Sequence, residues 1–281
     1  VMIKYKEDNQ KGLFSTKTQI IPKEKIRHQF EGKFSATLTE EEILSLEDDP
    51  RVESVEIVGK KYLFLQESVP LINGTETHQI QINNQNLTGK YQTICILDSG
   101  TDFTHPDLQG KNLTCIIDCY YGNGCEENCS ITDDSTGHGT HVAGIVAANG
   151  SIKGVAPEAK LITAKVCQDN SCSNYNIKAG IEWCINNKEQ YNISVISMSL
   201  GSGQYTNYCD SSDIEIAQSI GNAVNQNISV VVATGNTYGV YTNPLAGISS
   251  PACIENSIRV TAINKNETYA DYAFRHENFL D

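Results

Sequence analysis

The sequence predicts an α/β protein built on a mostly parallel, doubly wound sheet and preceded by a small α+β module. After residue 93, short apolar strand-like runs alternate with helix-length segments, a pattern typical of parallel sheets with helical crossovers. Before residue 66, strands and one helix are interleaved, and Lys and Glu are abundant. We therefore expect two domains, residues 1–65 and residues 66–281.

The N-terminal module is predicted to contain strands on both sides of one helix. Thr39 and Glu42 form a capping box, in which each side chain hydrogen-bonds the backbone N–H of the other residue at a helix start. We expect this helix to turn three apolar side chains inward, namely Ile43, Leu44 and Leu46. Alternating or apolar side chains predict strands at residues 34–38, 52–58 and 61–66.

The larger domain is predicted to alternate strands with helices. Apolar runs bounded by polar residues predict buried strands at residues 93–97, 161–166, 195–200, 228–233 and 257–263. Apolar side chains at helical spacing predict helices at residues 141–148, 177–187 and 213–226. In such a sheet a binding site lies beyond the carboxyl ends of the strands, so the polar residues that follow each strand are the candidates.

Composition and charge exclude several classes of protein. The chain has 281 residues, of which 39% are hydrophobic, and this composition is that of a globular rather than a disordered or fibrous chain. A net charge of −13 repels phosphate, so nucleic acid is not an expected partner. No apolar run is long enough to span a bilayer, so we expect no membrane span in this chain.

Cysteines and sequons indicate a secreted protein, extracellular or at the cell surface. The sequence has ten cysteines and eight Asn-x-Ser/Thr sequons, which suit an oxidising compartment. We expect the four cysteines at positions 115, 119, 125 and 129 to form two disulfides rather than a zinc site. Cys95 lies in a core strand and is expected to be a buried free thiol.

Three polar residues lie at the expected edge of the sheet. Asp98 ends the first apolar strand, His138 opens a helix in the segment GHGTHVAG, and Asn236 follows a later strand in VATGN. Taken singly, each is typical of an ordinary turn or helix start. His141, one turn after His138, leaves open a metallohydrolase that uses both histidines and the cysteines. The Glu of metalloprotease motifs is missing between them, so His141 is expected to be structural.

Together the three segments resemble the subtilisin-like serine proteases, whose Asp, His-Gly-Thr-His-Val-Ala-Gly and Gly-Asn motifs occur here in the same order. The resemblance covers roughly residues 66–281 and implies a subtilisin-like fold. It also implies a secreted endopeptidase that hydrolyses internal peptide bonds of proteins. His138 would be the general base, Asp98 would orient it, and Asn236 would donate to the oxyanion of the tetrahedral intermediate.

The resemblance further implies where substrate and calcium bind. Two segments would flank a substrate peptide, Ser199, Leu200 and Gly201 on one side and Asn170, Ser171 and Cys172 on the other. The first segment would pair with the substrate backbone as an added strand. Asp107 matches a calcium ligand of the family. The loop at residues 149–152 is shorter than in the bacterial enzymes that bind calcium, so a simple turn role for Asp107 is equally open.

The serine nucleophile of the family has no match in this sequence. Only 45 residues follow Asn236, none forms a Gly-Thr-Ser motif, and Ser249, Ser250 and Ser257 match no nucleophile turn. We expect the chain to be C-terminally incomplete, with its serine beyond Asp281 and these residues alone inactive. The alternative is a non-catalytic, subtilisin-like pseudoprotease or binding protein that lacks the nucleophile.

The N-terminal module resembles the inhibitor-type propeptides of the same proteases. The resemblance implies a zymogen in which residues 1–65 are an intramolecular inhibitor. Residues 66–70 (QESVP) resemble the start of mature subtilisins, so the bond between Leu65 and Gln66 is a candidate maturation site. We expect an unstructured hydrophobic tail over residues 62–65 before it. A generic α+β appendage is the alternative.

Overall fold

In the computed structural model the chain divides into two compact units, Val1–Leu63 and Phe64–Asp281. The structure describes residues 2–5, 21–22, 25–30, 33–36, 38–47, 49–56, 65–121, 124–128, 134, 136–169, 171–236 and 243–279. Within these ranges, no helix has both the length and the apolar character needed to cross a membrane.

The first unit is a four-stranded antiparallel sheet with one helix. Its elements are β1 (Met2–Tyr5), β2 (Ile26–Phe30), β3 (Lys33–Ala36), α1 (Glu40–Glu47) and β4 (Val52–Glu56). The strand order is β2-β3-β1-β4, so the first strand in the sequence lies inside the sheet. The core consists of Ile3, Ile21, Ala36, Leu46 and Val52.

Helix α1 begins at the predicted capping box. The Thr39 N–H donates to Glu42 Oε2 at 2.9 Å, and the Glu42 N–H donates to Thr39 Oγ1 at 3.3 Å. Leu46 is buried, but the prediction that Leu44 faces inward is wrong, because 57% of its surface is exposed. Positions three residues apart share a helix face, so Ile43 and Leu46 lie together while Leu44 lies on another face.

The second unit begins with helix where the sequence predicted a strand and a tail. Leu65 and Gln66 form the first turn of α2, so both predictions are wrong at these residues. Residues 57–64, which carried the rest of those predictions, lie outside the described ranges. The helices of this unit are α2 (Leu65–Leu71), α3 (Gly74–Thr77), α4 (His138–Ala147), α5 (Asn174–Asn186), α6 (Lys188–Tyr191) and α7 (Ile214–Asn225).

A mostly parallel sheet of seven strands forms the centre of the second unit, which confirms the predicted fold class. The strands of this unit are β5 (Gln81–Ile82), β6 (Gln85–Asn86), β7 (Thr93–Asp98), β8 (Ile116–Asp118), β9 (Glu126–Asn128), β10 (Lys160–Lys165), β11 (Cys167–Gln168), β12 (Ser171–Cys172), β13 (Ile193–Met198), β14 (Ser202–Tyr205), β15 (Ser229–Ala233), β16 (Ile248–Ser250) and β17 (Ile258–Val260). The sheet order is β17-β15-β13-β7-β10-β8-β9, and only the β8–β9 pair is antiparallel. The remaining strands form the antiparallel pairs β5–β6, β11–β12 and β14–β16.

Strand β7 is the buried middle of this sheet because both of its faces are covered. All six of its residues are buried. Ile94 and Ile96 belong to a core cluster with Val142 and Ala143 of α4. The alternate residues Cys95 and Leu97 belong to a second cluster, which also contains side chains of α5 and α7. This alternation explains the continuous apolar run and positions Asp98 at the carboxyl edge of the sheet.

Disulfides connect this core in ways that the sequence did not specify. The prediction that Cys95 is a free thiol is wrong, because Cys95 is bonded to Cys184. Helix α5 packs on β7 and brings the two Cα atoms to 6.4 Å. Disulfides are confirmed in the cysteine-rich stretch by the Cys119–Cys125 bond, and Cys115 is also disulfide-bonded. Cys129 lies outside the described residues. Two further bonds join Cys167 to Cys172 and Cys209 to Cys253.

Candidate active site

His138 and Asp98 meet at the carboxyl edge of the central sheet. Asp98 is the last residue of β7 and is 2% exposed, and His138 is the first residue of α4. The His138 Nδ1–H donates to Asp98 Oδ1 at 2.7 Å, the contact expected from the sequence. The side chain of His138 is 53% exposed, so the imidazole is held by a buried carboxylate on one side and open to solvent on the other.

A glycine lets the start of α4 approach the turn after β7. A Cβ atom on Gly139 would lie 1.9 Å from the Gly100 carbonyl oxygen, so a larger residue would push the helix away from Asp98. The Gly139 N–H donates to Ser99 Oγ at 3.1 Å, which joins the two segments. The Gly-His-Gly sequence therefore fixes how closely His138 comes to the aspartate.

Asp134 holds the same junction from the loop before α4, and the sequence analysis missed it. Its carboxylate accepts hydrogen bonds from Ser99 Oγ at 2.7 Å and from the N–H and hydroxyl of Thr140 at 2.7 and 2.6 Å. Burial alone would raise the pKa of Asp134, but these hydrogen bonds and one from Gly137 lower it below its usual value. The sequence feature that could have predicted this role is an acidic residue a few positions before a helix. Such a side chain accepts hydrogen bonds from the free N–H groups of the first helical turn.

The electrostatics favour the protonated form of His138. The hydrogen bond to Asp98 is the main cause of a raised pKa at His138, and the negative charges of Asp98 and Asp134 add to it. Partial burial acts in the opposite direction and is outweighed. An imidazole in this environment is a stronger base than a free one and stabilises the imidazolium that forms when it accepts a proton.

Asn236 lies at the same edge of the sheet. It follows β15, which is separated from β7 by β13 alone, and parallel strands end on a common edge. Asn236 is exposed and forms an isolated bridge with Ala273. Adjacent strands are about 4.8 Å apart, so β15 and β7 are separated by about 10 Å, a span that a short substrate segment covers.

Four of the six residues expected to flank a substrate line one cavity. Ser171 and Cys172 come from one of the two segments, and Leu200 and Gly201 come from the other. Its volume is about 340 Å³, and its wall also includes Asp213, which the sequence analysis did not identify. The other two residues are not in this lining. Ser199, directly after β13, does not line the cavity, and Asn170 lies outside the described residues. Both predicted substrate-flanking segments therefore contribute to the wall of one cavity.

Asp107, the candidate calcium ligand, is hydrogen-bonded to the loop after α4. Asp107 Oδ1 accepts the Ser151 N–H at 2.6 Å, and the Asp107 carbonyl accepts the Asn149 N–H at 2.9 Å. The Lys153 ammonium donates to the Asn149 side-chain oxygen, so the loop oxygens already meet a cation. Calcium takes six to eight oxygen ligands. Asp107 here fastens the loop after α4, and no step of the chemistry is assigned to a metal.

The metallohydrolase alternative is also unsupported by the arrangement of its residues. His141 is exposed, one turn beyond His138. Cys115, Cys119 and Cys125 are in disulfides and supply no thiolate. Across the ranges given above, no cluster of three or more His, Cys, Asp or Glu side chains could hold a metal ion.

Known proteins with similar sequences are proteases. The chain is 33% identical over 259 residues to a thermostable alkaline protease of Halalkalibacterium halodurans, covering 88% of this chain and 62% of that protein. It is 31% identical over 255 residues to subtilisin E of Bacillus subtilis, covering 89% of this chain and 61% of that protein. The chain thus spans about three fifths of the length of these curated relatives.

Solved structures share the fold. A psychrophilic protease, S41, superposes with a TM-score of 0.57 at 28% identity, over 73% of this chain and 66% of that one. The epidermin leader peptide processing serine protease of Staphylococcus aureus superposes with a TM-score of 0.58 at 18% identity, over 100% of this chain and 72% of that one. Residues 89–279 match the subtilase family of peptidases (Peptidase_S8). With the His138–Asp98 pair at its sheet edge, the chain belongs to the subtilase family of serine proteases.

Proposed function

We propose that the full-length protein is a secreted serine endopeptidase that hydrolyses internal peptide bonds of proteins with an Asp-His-Ser triad. The observation that carries the proposal is the hydrogen bond of 2.7 Å between His138 Nδ1 and the buried Asp98 carboxylate. Among side-chain pairs this one is suited to general-base catalysis, because the carboxylate fixes the tautomer that leaves Nε2 free to accept a proton. The names of the curated relatives, all proteases, support it.

The mechanism follows from the two nitrogens of His138. Its Nε2 would accept the proton of a serine hydroxyl as the oxygen attacks the scissile carbonyl, and would return that proton to the leaving amine. Asp98 stabilises the imidazolium in between. The Asn236 amide would donate to the oxyanion of the tetrahedral intermediate. The proposal assigns the nucleophile to a serine outside the 281 residues, which agrees with the greater length of the relatives.

A serine-directed probe tests this proposal. The full-length protein should cleave a denatured protein substrate and should lose that activity when a fluorophosphonate modifies one serine. Mass spectrometry should locate the modified serine after Asp281, and residues 1–281 alone should be neither labelled nor active. A full-length protein that folds but takes up no probe would support the pseudoprotease alternative instead, and labelling within residues 1–281 would show a nucleophile inside this chain.

The proposal includes an extracellular or cell-surface location. Four disulfides have both cysteines within the described ranges. Disulfides at this density persist in oxidising compartments and are rare in the reducing cytosol. One of them, Cys95–Cys184, lies in the core of the sheet that carries Asp98, so the fold itself depends on that chemistry.

We further propose that the first unit is a propeptide that inhibits the protease in a zymogen. Support comes from its separate core and sheet and from its place immediately before the subtilase domain. Leu65 and Gln66 are helical, so cleavage between them would require the first turn of α2 to open, because proteases bind extended backbone.

Purified residues 1–65 should inhibit the mature full-length protease at micromolar concentration. Two substitutions on the same helix give a matched comparison, because Leu46 is 4% exposed and Leu44 is 57% exposed. Leu46→Asp places a charge in the core and should abolish inhibition by unfolding the unit, whereas Leu44→Asp should keep it folded. Absence of inhibition by a folded, unmodified module would overturn the propeptide assignment.

A further inference from the structure

The cavity between the two substrate-flanking segments is lined mainly by polar groups, with three aliphatic side chains and one carboxylate among them. Ile177, Leu200 and Ile216 contribute aliphatic surface to it. Among the described residues of its lining, Asp213 alone is an acid or a base of the Asp, Glu, Lys, Arg or His type. Its volume of about 340 Å³ lies at the small end of ligand pockets and is large enough for one long side chain.

The carboxylate of Asp213 keeps its negative charge unpaired at this place. Its Oδ1 accepts from Asn174 Nδ2 at 3.1 Å and its Oδ2 from Ser250 Oγ at 2.7 Å, and both partners are neutral. A carboxylate has about four acceptor positions, so two remain. Within the described ranges no cation pairs with Asp213, since the neighbouring Lys178 is bound to Glu215 and Glu182.

The carboxylate is held in place before any substrate arrives. The N–H groups of Ser212 and Asp213 both donate to the Cys209 carbonyl, at 2.8 and 3.1 Å, and Cys209 is bonded to Cys253. On the opposite wall the Cys167–Cys172 disulfide closes the β11–β12 hairpin. A disulfide therefore restrains each of the two segments that carry these residues. This restraint lowers the conformational entropy lost when a ligand binds.

One local effect opposes a cation, and it is weaker than the carboxylate. Asp213 precedes α7, and a helix N-terminus carries about half a positive elementary charge. The Asp213 side chain makes no capping hydrogen bond to that helix. Its carboxylate instead accepts hydrogen bonds from Asn174 and Ser250 at the cavity wall. The overall charge of −13 adds a long-range attraction for cations.

We propose that Asp213 is a specificity-determining residue that selects a lysine or arginine side chain of the substrate in this cavity. The inference rests on the proposed protease function and narrows its substrates to segments with a basic residue at one position. Lysine and arginine have aliphatic stems that pack on apolar side chains and cationic ends that require acceptors, and this cavity supplies both Ile177, Leu200 and Ile216 and the Asp213 carboxylate among neutral polar groups. A peptide added as a strand along Leu200 and Gly201 presents every second side chain to the same face.

Peptides that differ by a single ammonium group test the proposal. A fluorescent peptide series carries either lysine or norleucine, which has the same straight carbon stem without the amine, at each position in turn. Binding to the mature full-length protein carrying His138→Ala and cleavage by the unmodified mature protein are both measured at low and high salt. At one position we expect lysine to be preferred over norleucine up to about fivefold at low salt, as an ion pair at a partly exposed carboxylate gives.

Two variants with the same loss of charge separate Asp213 from its surroundings. Asp213→Asn should reduce the lysine-to-norleucine ratio to about one. Glu255→Gln, on an exposed side chain outside the cavity lining, should leave the ratio as it is. High salt should reduce the ratio of the unmodified protein, a readout that depends on no variant.

The possible outcomes distinguish this inference from the proposed function. Equal binding of lysine and norleucine peptides at every position would overturn the role of Asp213 and leave the protease proposal standing. Lysine-selective binding without cleavage by the full-length protein would support the role of Asp213 and overturn the protease proposal. If Asp213→Asn keeps both the lysine preference and its salt dependence, the selectivity lies in other residues and the role of Asp213 is overturned.

Discussion

Replacing Asp98 with asparagine in the full-length protease should lower kcat about 10⁴-fold while leaving the fold intact. Asp98 Oδ1 accepts the Nδ1–H of His138 at 2.7 Å. An asparagine can turn its NH₂ group to the ring instead, which places the imidazole proton on Nε2 and removes the base from the serine. Steady-state kinetics on a peptide substrate measure the effect.

The same variant should also shift the acid limb of the pH profile. The hydrogen bond to Asp98 is the largest cause of the raised pKa of His138, so its loss should lower that pKa and move the acid limb of kcat/KM to lower pH. Asp102→Asn is the matched control on the same loop. Asp102 Oδ1 accepts hydrogen bonds from the N–H and hydroxyl groups of Thr104 and none from His138. A decrease below tenfold for Asp98→Asn would contradict the role of Asp98.

Replacing Asn236 with alanine should lower kcat about 10²- to 10³-fold with little change in KM. The amide would donate to the oxyanion only as charge develops on it, so its removal affects the transition state more than the bound substrate. Asn225→Ala is the control, since Asn225 is exposed at the end of α7 and precedes β15 at its opposite end. A rise in KM with kcat unchanged would instead make Asn236 a substrate-binding residue.

The strands of the central sheet were predicted from local signals, and the His138–Asp98 pair was predicted from the resemblance of the short motifs around both residues to a known family. Strand β7 is a continuous apolar run, and the segment around His138 combines a helix start with glycines that permit close approach. The capping box at Thr39 needed only two residues three positions apart. Each of these features is written in a window of fewer than about ten residues, where hydrophobic period and helix-start signals are informative.

Features that depend on tertiary approach could not be predicted in the same way. Cys95 and Cys184 are 89 residues apart, and a buried cysteine in an apolar strand has the same local pattern whether free or bonded. Strands β8 and β9 have three residues each, too short to show a period. Asp213 faces a cavity only because Ser250 and Asn174, from two other segments, come to its carboxylate.

The order of strands in the central sheet has a consequence for how the protein is made. The first unit closes its sheet within its own 63 residues, whereas Thr93 of β7 pairs with Lys160 of β10 and with Ile193 of β13. At about 5–20 residues per second, the hundred residues up to β13 take the ribosome roughly 5 to 20 seconds. Both edges of β7 stay unpaired until β10 is made, one edge stays unpaired until β13 follows, and an unpaired apolar edge attracts other chains. A chain whose synthesis stops before residue 193 would therefore expose an unpaired edge of β7 and should be prone to aggregation.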